Sequence, residues 1–303
     1  MEHTENKKQE SMDNNQIAMK VSAVSIAINL ILSVLKLIAG IVAHSGAMVS
    51  DAIHSASDVG STLIVIVGVR LSGKQSDQEH PYGHERMECV SSIILSGLLL
   101  ATGIGIGISG LENIVKSTSG KAIEIPGMLA LIAAVVSILV KEAMFWYTRH
   151  YAKKIDSSAV MADAWHHRSD ALSSVGALIG IGGARLGFPI MEPLASVVIC
   201  IFIEKAAFDI FKDAIDKMVD KACDEQTEEA LRNCALNTKG VERVDLLKTR
   251  IFGNKVYVEM EIGADENLSL KDSHAIAENV HDAIEQGWPK IKHILIHVNP
   301  VRM

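Results

Sequence analysis

Residues 45–58 read SGAMVSDAIHSASD and residues 162–170 read ADAWHHRSD, and both stretches lie inside long apolar segments. In each stretch a histidine precedes an aspartate by four residues, giving His54 with Asp58 and His166 with Asp170. Residues four apart share one face of a helix, so each pair can direct an imidazole and a carboxylate at a common point. An ionisable side chain at membrane depth costs at least about 2.5–3.5 kcal/mol on insertion scales, so two such pairs indicate a function. The pattern predicts two membrane helices that together supply four metal ligands.

The composition also favours a membrane protein. Hydrophobic residues make up 49% of the chain, and the mean hydropathy is +0.24. A membrane-spanning helix needs about 20 mostly apolar residues. Six segments meet this requirement: 17–42, 46–70, 90–114, 125–150, 158–186 and 191–212. We therefore predict a mostly α polytopic membrane protein with six transmembrane helices.

Basic residues near the ends of these segments predict the orientation of the chain in the membrane. Residues 1–15 are polar and show no signal peptide, so this N-terminal segment is expected in the cytoplasm. The side rich in basic residues is expected to be cytoplasmic, and it carries Lys7, Lys8, Lys20, Arg70, Lys74, Arg86, Arg149, Lys153, Lys154, Lys212, Lys217 and Lys221. The opposite side carries Lys116, Lys121 and Arg185. Both termini are therefore predicted to face the cytoplasm.

The membrane region, residues 16–212, is followed by an acidic segment, 213–226, that we interpret as a linker to a C-terminal domain, 227–303. Spacing of apolar residues predicts a helix at Glu228–Leu236 and a second helix at Leu270–Ile284 behind a Ser269 cap. Three strands are predicted at Val244–Ile251, Val256–Ile262 and Ile291–Val298, with a Gly253-Asn254 turn between the first two. The order α-β-β-α-β indicates a small cytoplasmic α+β domain.

Further potential metal ligands lie outside the two His-Asp pairs. Asp77, His80 and His84 fall within eight residues in the loop after the second span, where they could bind zinc or remain solvated side chains. The tail contains several acidic and histidine residues without diagnostic spacing: Asp245, Glu261, His274, His281, His293 and His297.

Two residues beside the pairs need separate interpretation. His167 is rotated by about 100° from His166 on a helix, so we exclude it from the site. Asp51 precedes His54 by three residues and lies on nearly the same helical stripe. It is a candidate for the entrance of the site or for orienting a ligand, with capping or packing as the alternative. For the fifth span, an internal ion-pair cluster is the alternative to a metal site.

Other classes of protein receive little support from the sequence. The net charge of −7 does not suggest nucleic-acid binding. The cysteines lack Cys-x-x-Cys spacing, so neither a disulfide framework nor a thiolate zinc site is indicated for Cys89, Cys200, Cys223 and Cys234.

Three phrases of the sequence resemble the cation diffusion facilitator family: residues 45–58, residues 162–170 and the loop HPYGHERME at 80–88. The likeness extends over the chain from about residue 15. It implies a homodimer in the plasma (inner) membrane of a bacterial cell, with six helices per protomer among the membrane lipids. It also implies a transport site between the second and fifth spans, and a cytoplasmic domain of ferredoxin-like, metallochaperone-like fold.

The resemblance assigns roles to particular residues. It implies that His54, Asp58, His166 and Asp170 form the transport tetrad, and that Asp77, His80 and His84 form a metal site in the loop. In the tail, the positions that correspond to metal ligands are Asp245, Glu261, His274 and His297. At Asp245 and Glu261 a better-known bacterial zinc member has histidines, and it has an aspartate in place of Asn299. The resemblance further implies a charge pair between Arg86 and Asp220 that joins the membrane and cytoplasmic parts.

The donor atoms of the tetrad point to zinc as the transported ion, because two imidazoles and two carboxylates suit a tetrahedral ion of borderline softness. Cadmium, cobalt, iron(II) and manganese are the alternatives. A histidine must lose its proton to bind a metal ion, so protons and metal compete for the tetrad. We therefore expect zinc export in exchange for protons.

Two other functions are alternatives to transport. An intramembrane metallohydrolase would need an open zinc position and a general base, but the sequence has no His-Glu-x-x-His motif. A membrane-anchored metal sensor would not need two buried His-Asp pairs. The sequence thus predicts a secondary transporter that acts on no organic substrate and is not an enzyme.

Overall fold

A computed structural model describes residues 2–42, 46–117, 128–185 and 191–302. Side chains near the ends of several helices, including those of residues 46–54, are outside this description. The chain divides into two compact units, one comprising Met12–Ala214 and the other containing Ile215–Met303.

The first unit is built from six long helices, which lie where the six apolar segments are. They are α1 (Glu2–Val42), α2 (Gly46–Ser72), α3 (Met87–Ser117), α4 (Met128–Ile155), α5 (Ser158–Arg185) and α6 (Met191–Met218). Among the described residues, two segments are long and apolar enough to cross a membrane, namely Asp13–Ile38 and Met87–Glu112. The predicted helical character is confirmed, whereas spanning by all six helices stays a prediction.

The first unit exposes apolar side chains and buries polar ones. Ile31, Leu139 and Phe202 are each about 60% exposed or more, and many other large apolar residues on these helices are exposed as well. By contrast, Asn29 and His167 are fully buried. Water would disfavour this distribution, whereas lipid tails are as apolar as the exposed side chains.

Small residues allow the helices of this unit to approach closely. A Cβ atom at Gly68 on α2 would collide with Ser91 on α3. Gly107 on α3 faces Cys200 on α6 in the same way, with the position of its missing Cβ 2.7 Å from Sγ. Such contacts between small residues are typical of helix interfaces in membranes, where packing takes the place of the hydrophobic effect.

The second unit contains α7 (Glu225–Leu236), β1 (Arg243–Phe252), β2 (Lys255–Asp265), α8 (Leu270–Gly287) and β3 (Ile291–Val301). The predicted order α-β-β-α-β is therefore confirmed. The sheet order is β1-β2-β3, with β1 antiparallel and β3 parallel to β2. Leu231 on α7 and Ile284 on α8 pack with β2 residues such as Ile262 in one apolar core.

Local chemistry explains where these elements begin and end. The Asp224 side chain accepts a hydrogen bond from the Thr227 backbone N–H, so α7 begins three residues before the predicted start. Ser269 caps α8 as predicted, by accepting from the Asp272 backbone N–H. Gly253 has a φ of 64°, a left-handed conformation that suits the tight turn between β1 and β2.

Candidate metal sites

A buried cluster of three potential metal ligands joins α2 to α5. Asp58 comes from α2, and His166 and Asp170 come from α5. One ligand atom from each residue lies within 4.8 Å of the others, and all three side chains are buried. The four-residue spacing of His166 and Asp170 places both on the face of α5 that meets α2. The structure thus brings together three of the four residues expected to form the tetrad.

His166 has a ring nitrogen available for a ligand. Its Nε2 atom lies 3.4 Å from Oδ1 of Asp58 and has no hydrogen-bond partner among the described residues. Buried polar atoms are nearly always hydrogen-bonded, so an unsatisfied imidazole nitrogen beside a carboxylate is a suitable position for a cation. The side chains of His54 and Asp51 lie outside the described residues, so the roles of both remain predictions.

A lysine absent from the predicted site also belongs to this cluster. Lys141 on α4 is 2% exposed and donates from Nζ to Oδ2 of Asp58 at 2.5 Å and to Oδ2 of Asp170 at 2.8 Å. The sequence does contain a signal, because Lys141 follows thirteen residues, 128–140, that carry no charge. A lysine ammonium is not a metal ligand, however, so the pattern of ligand pairs in the spans does not point to it.

His167 belongs to a second buried polar group. Its Nε2 lies 3.2 Å from Oγ of Ser25 on α1 and 3.5 Å from Oδ2 of Asp163. Thr62 on α2 donates to Oδ1 of Asp163 at 3.1 Å. Hydrogen bonds of this kind join α1, α2 and α5 beside the cluster of potential metal ligands. They give His167 and Asp163 a packing role between helices.

The loop residues Asp77, His80 and His84 form a second cluster whose ligand atoms lie within 4.8 Å of one another. Oδ1 of Asp77 accepts from the His80 backbone N–H at 2.8 Å and lies 3.2 Å from His80 Nδ1. Nε2 of His84 lies 3.6 Å from Oδ2 of Asp77. The three predicted loop residues are therefore brought together.

A tight turn holds the two loop histidines side by side. The Gly83 backbone N–H donates to the His80 carbonyl at 3.0 Å, and Gly83 has a φ of 98° that disfavours other residues. Pro81 follows His80, where a fixed φ favours the turn. As a result, the imidazole rings of His80 and His84 lie with their centroids 4.5 Å apart.

Lys74 competes for the carboxylate of this loop cluster. Its Nζ lies 2.6 Å from Oδ2 of Asp77. The Lys74 hydrogen bond and the His80 backbone N–H hold the pKa of Asp77 well below its ordinary value. Asp77 is therefore ionised at neutral pH, as a metal ligand must be, but one of its oxygens already binds an ammonium group.

The tail residues Asp245, Glu261 and His297 lie on neighbouring strands of the sheet. Glu261 on β2 is in register with His297 on β3. Between the acidic residues, Nδ2 of Asn299 donates to Oδ2 of Asp245 and to Oε2 of Glu261, both at 3.0 Å. The Asn299 amide thus occupies a position between two carboxylates that a cation could otherwise take.

Other tail contacts bear on the predicted set. The Asn299 and Arg243 hydrogen bonds lower the pKa of Asp245. His274 lies on α8, is 71% exposed and pairs with Glu278 at 3.6 Å. The four-residue tail site therefore stays a prediction. So does the charge pair of Arg86 and Asp220, whose members lie in the two separate units.

Comparisons with known proteins place both units in one family. The family model of the cation efflux transmembrane domain matches residues 22–219, and that of the cation efflux protein cytoplasmic domain matches residues 223–301. These matches cover most of the chain.

Individual relatives are similar over nearly the whole chain. Metal tolerance protein C1 of Arabidopsis thaliana is 33% identical over 93% of this chain, which spans 62% of that protein's length. The uncharacterized transporter YdbO of Bacillus subtilis is 34% identical over 99% of both chains. The manganese efflux system protein MneP of the same organism is 30% identical over 95% of this chain and 98% of its own length.

Proposed function

The chain belongs to the cation efflux family, whose members are integral membrane transporters of divalent metal cations and not enzymes, and on this premise we propose that it exports zinc in exchange for protons. The observation that carries the proposal is the buried cluster of Asp58, His166 and Asp170, with the unsatisfied Nε2 of His166 beside a carboxylate. Completed by His54, this cluster would offer two oxygen and two nitrogen donors. Zinc accepts such a set without a geometric penalty.

Manganese is the second candidate for the transported ion. A relative named as a manganese efflux system protein is 30% identical to this chain. Carboxylate ligands suit manganese, which prefers oxygen donors more strongly than zinc does, and two of the three described ligands are carboxylates. Cadmium, iron(II) and cobalt follow, since each accepts a mixed nitrogen and oxygen donor set.

Proton exchange follows from the chemistry of the ligands. Imidazole and carboxylate side chains bind a metal ion only when deprotonated, so a proton that enters the site opposes metal binding. If the site faces the two sides of the membrane alternately, protons from outside displace the metal and are then released to the cytoplasm. Inward movement of protons would then supply the free energy for outward movement of metal.

The proposal extends to the arrangement of the chain. The apolar exteriors of α1 to α6 support six membrane spans. The basic residues that cluster on one side of the spans support an arrangement with both termini in the cytoplasm. The match of residues 223–301 to the cytoplasmic domain of cation efflux proteins supports a homodimer. We propose that Asp77, His80 and His84 form a secondary zinc site in the loop. The tail residues Asp245, Glu261, His274 and His297 would form a regulatory metal site, and Arg86 and Asp220 would form a charge pair between the two domains.

A transport assay tests the proposal. The chain would be reconstituted in inside-out proteoliposomes with a pH gradient, and entry of zinc, cadmium, manganese and iron(II) would be measured for native protein, Asp58→Ala and Asp209→Ala. Asp209 is an exposed aspartate of α6, so its variant is the matched control. Gradient-dependent zinc entry that only Asp58→Ala abolishes would support the proposal.

Other results of the same assay would change or refute the proposed function. Gradient-dependent entry of manganese in preference to zinc would support export and change the assigned ion. Metal entry that is unchanged when the gradient is collapsed would refute proton exchange. No entry of any metal into liposomes that hold folded protein would refute export and favour a membrane-anchored sensor.

A further inference from the structure

Lys141 is a buried cation, and it is not one of the residues proposed to bind the transported metal. It lies on α4, and its ammonium group connects that helix to Asp58 on α2 and Asp170 on α5. A lysine that is 2% exposed in an apolar helix carries a large desolvation cost. Its two carboxylate partners offset part of that cost, because each forms a charge-assisted hydrogen bond with it.

The ammonium group also stabilises the carboxylates. Two buried carboxylates with ligand atoms within 4.8 Å of each other repel strongly when no cation lies between them. Nζ of Lys141 is 2.5 Å from one and 2.8 Å from the other, so it reduces this repulsion. The adjacent Glu142 forms a different ion pair, with its Oε1 atom 3.5 Å from Nη2 of Arg168.

A metal ion entering the cluster must contend with this ammonium group. The ion would bind Oδ1 of Asp58 and Nε2 of His166, which are 3.4 Å apart, while the ammonium group holds the other oxygen of the same carboxylate. A divalent cation and an ammonium group so close together repel each other, and low dielectric strengthens the repulsion. The four-carbon stem of lysine is flexible enough to carry the charge away.

We propose that Lys141 is a tethered counter-cation of the transport site, which neutralises the metal-free carboxylates and is displaced when the divalent ion binds. This inference rests on the proposed function, because it deepens the account of the same site. By competing with the metal, Lys141 lowers the affinity of the site and so favours release. After release, the ammonium group returns to Asp58 and Asp170 and opposes rebinding.

The role is that of an affinity-setting residue, and it differs from that of a purely structural ion pair. A structural pair would stabilise the packing of α4 against α2 and α5, and its loss would weaken or leave unchanged the binding of metal. A competing cation has the opposite effect, because its removal leaves two carboxylates whose repulsion a metal ion relieves. The sign of the change in metal affinity therefore separates the two roles.

The test measures equilibrium binding of zinc, and separately of manganese, to the purified full-length chain by competition with a fluorescent chelator. Binding at the transport site is defined as the component that Asp58→Ala removes. In Lys141→Met this component is expected to tighten by at least about tenfold, because the repulsion is gone. In Lys141→Arg, which keeps the positive charge and so the repulsion of the metal ion, it should stay within about threefold of native. Glu142→Gln is the control for an altered charge at the neighbouring position.

Monodispersity and thermal unfolding of each variant would be checked first. Lys141→Gln, a polar neutral residue, would replace Lys141→Met if the latter fails to fold. Unchanged or weaker metal binding in a folded neutral variant would overturn the inference. Failure of the proposed function is a separate result, seen as absence of native metal flux in proteoliposomes, whereas the binding comparison reports on Lys141 alone.

Discussion

Nε2 of His166 lies 3.4 Å from Oδ1 of Asp58 and has no hydrogen-bond partner among the described residues, although both side chains are buried. A polar atom in this position would ordinarily carry an energetic penalty. Coordination of a cation by the imidazole and the carboxylate would remove the penalty, which leads to the first prediction.

Replacing His166 by alanine should weaken zinc binding at the buried site by about 100-fold or more, since loss of even a residue that supports a ligand costs 10–100-fold. Binding would be measured with the fluorescent chelator. His150→Ala, which removes an exposed histidine of α4, is the matched control. Equal binding in the two variants would contradict a ligand role for His166.

In the loop cluster, Lys74→Met should strengthen zinc binding, because the ammonium group 2.6 Å from Asp77 Oδ2 no longer competes with the metal. The gain should be small, about two- to threefold, since interactions between exposed charges are screened by water. Zinc binding to the loop would be measured in the Asp58→Ala variant, which lacks binding at the buried site. It is defined as the component that a further His80→Ala substitution removes. Lys74→Arg should resemble native protein, and weaker binding in Lys74→Met would mean that Lys74 orders the loop.

Acid stability of the tail should depend on Asn299. Hydrogen bonds from Asn299 and Arg243 lower the pKa of Asp245, so ionised Asp245 contributes stability above the ordinary aspartate pKa of about 3.9. That contribution is lost as the pH falls through the lowered pKa of the folded state. Asn299→Ala raises the pKa of Asp245 and should shift the acid unfolding midpoint to higher pH.

Fluorescence of Trp288, which packs against the tail core, would report this midpoint once Trp146 and Trp165 are replaced by phenylalanine. Gln286→Ala, which removes an exposed amide of α8, is the control and should leave the midpoint unchanged. The same midpoint for Asn299→Ala and native protein would show that the amide does not stabilise ionised Asp245.

Asn299→Asp should convert the amide bridge of the tail into a cation site. Three carboxylates would then meet where Nδ2 of Asn299 now donates to Asp245 and Glu261 at 3.0 Å. Metal-free protein should be less stable, because like charges repel, and zinc or manganese should restore stability by binding the folded state. In the full chain, we expect the metal to raise the melting temperature of the tail by about 2–4 °C more than in native protein.

The Trp288 signal would again isolate the tail. Asn299→Ala supplies the comparison, because it also loses the amide but adds no carboxylate. A melting temperature of Asn299→Asp that responds to metal no more than that of Asn299→Ala would rule out the converted site.

Much of the fold could be predicted from patterns within short stretches. Apolar segments of suitable length predicted the six long helices, and a two-residue turn and a serine cap predicted β1, β2 and the start of α8. The predicted boundaries were less accurate at the start of α7 and at the end of α8, which the structure places at Gly287, because capping contacts decide where a helix begins and ends. The loop cluster could also be predicted from the sequence, since its three residues lie within eight consecutive positions.

The sequence by itself determined which residues share a helix face, because neighbours three or four apart are set by the geometry of one helical turn. That is why four-residue spacing alone sufficed to pair His166 with Asp170. Only the tertiary structure decided that Lys141 meets Asp58, which is 83 positions away, and that Asn299 meets Asp245, which is 54 positions away. Contacts at such separations depend on how helices and strands pack, and burial then makes each charge or amide find the partner that packing brings near.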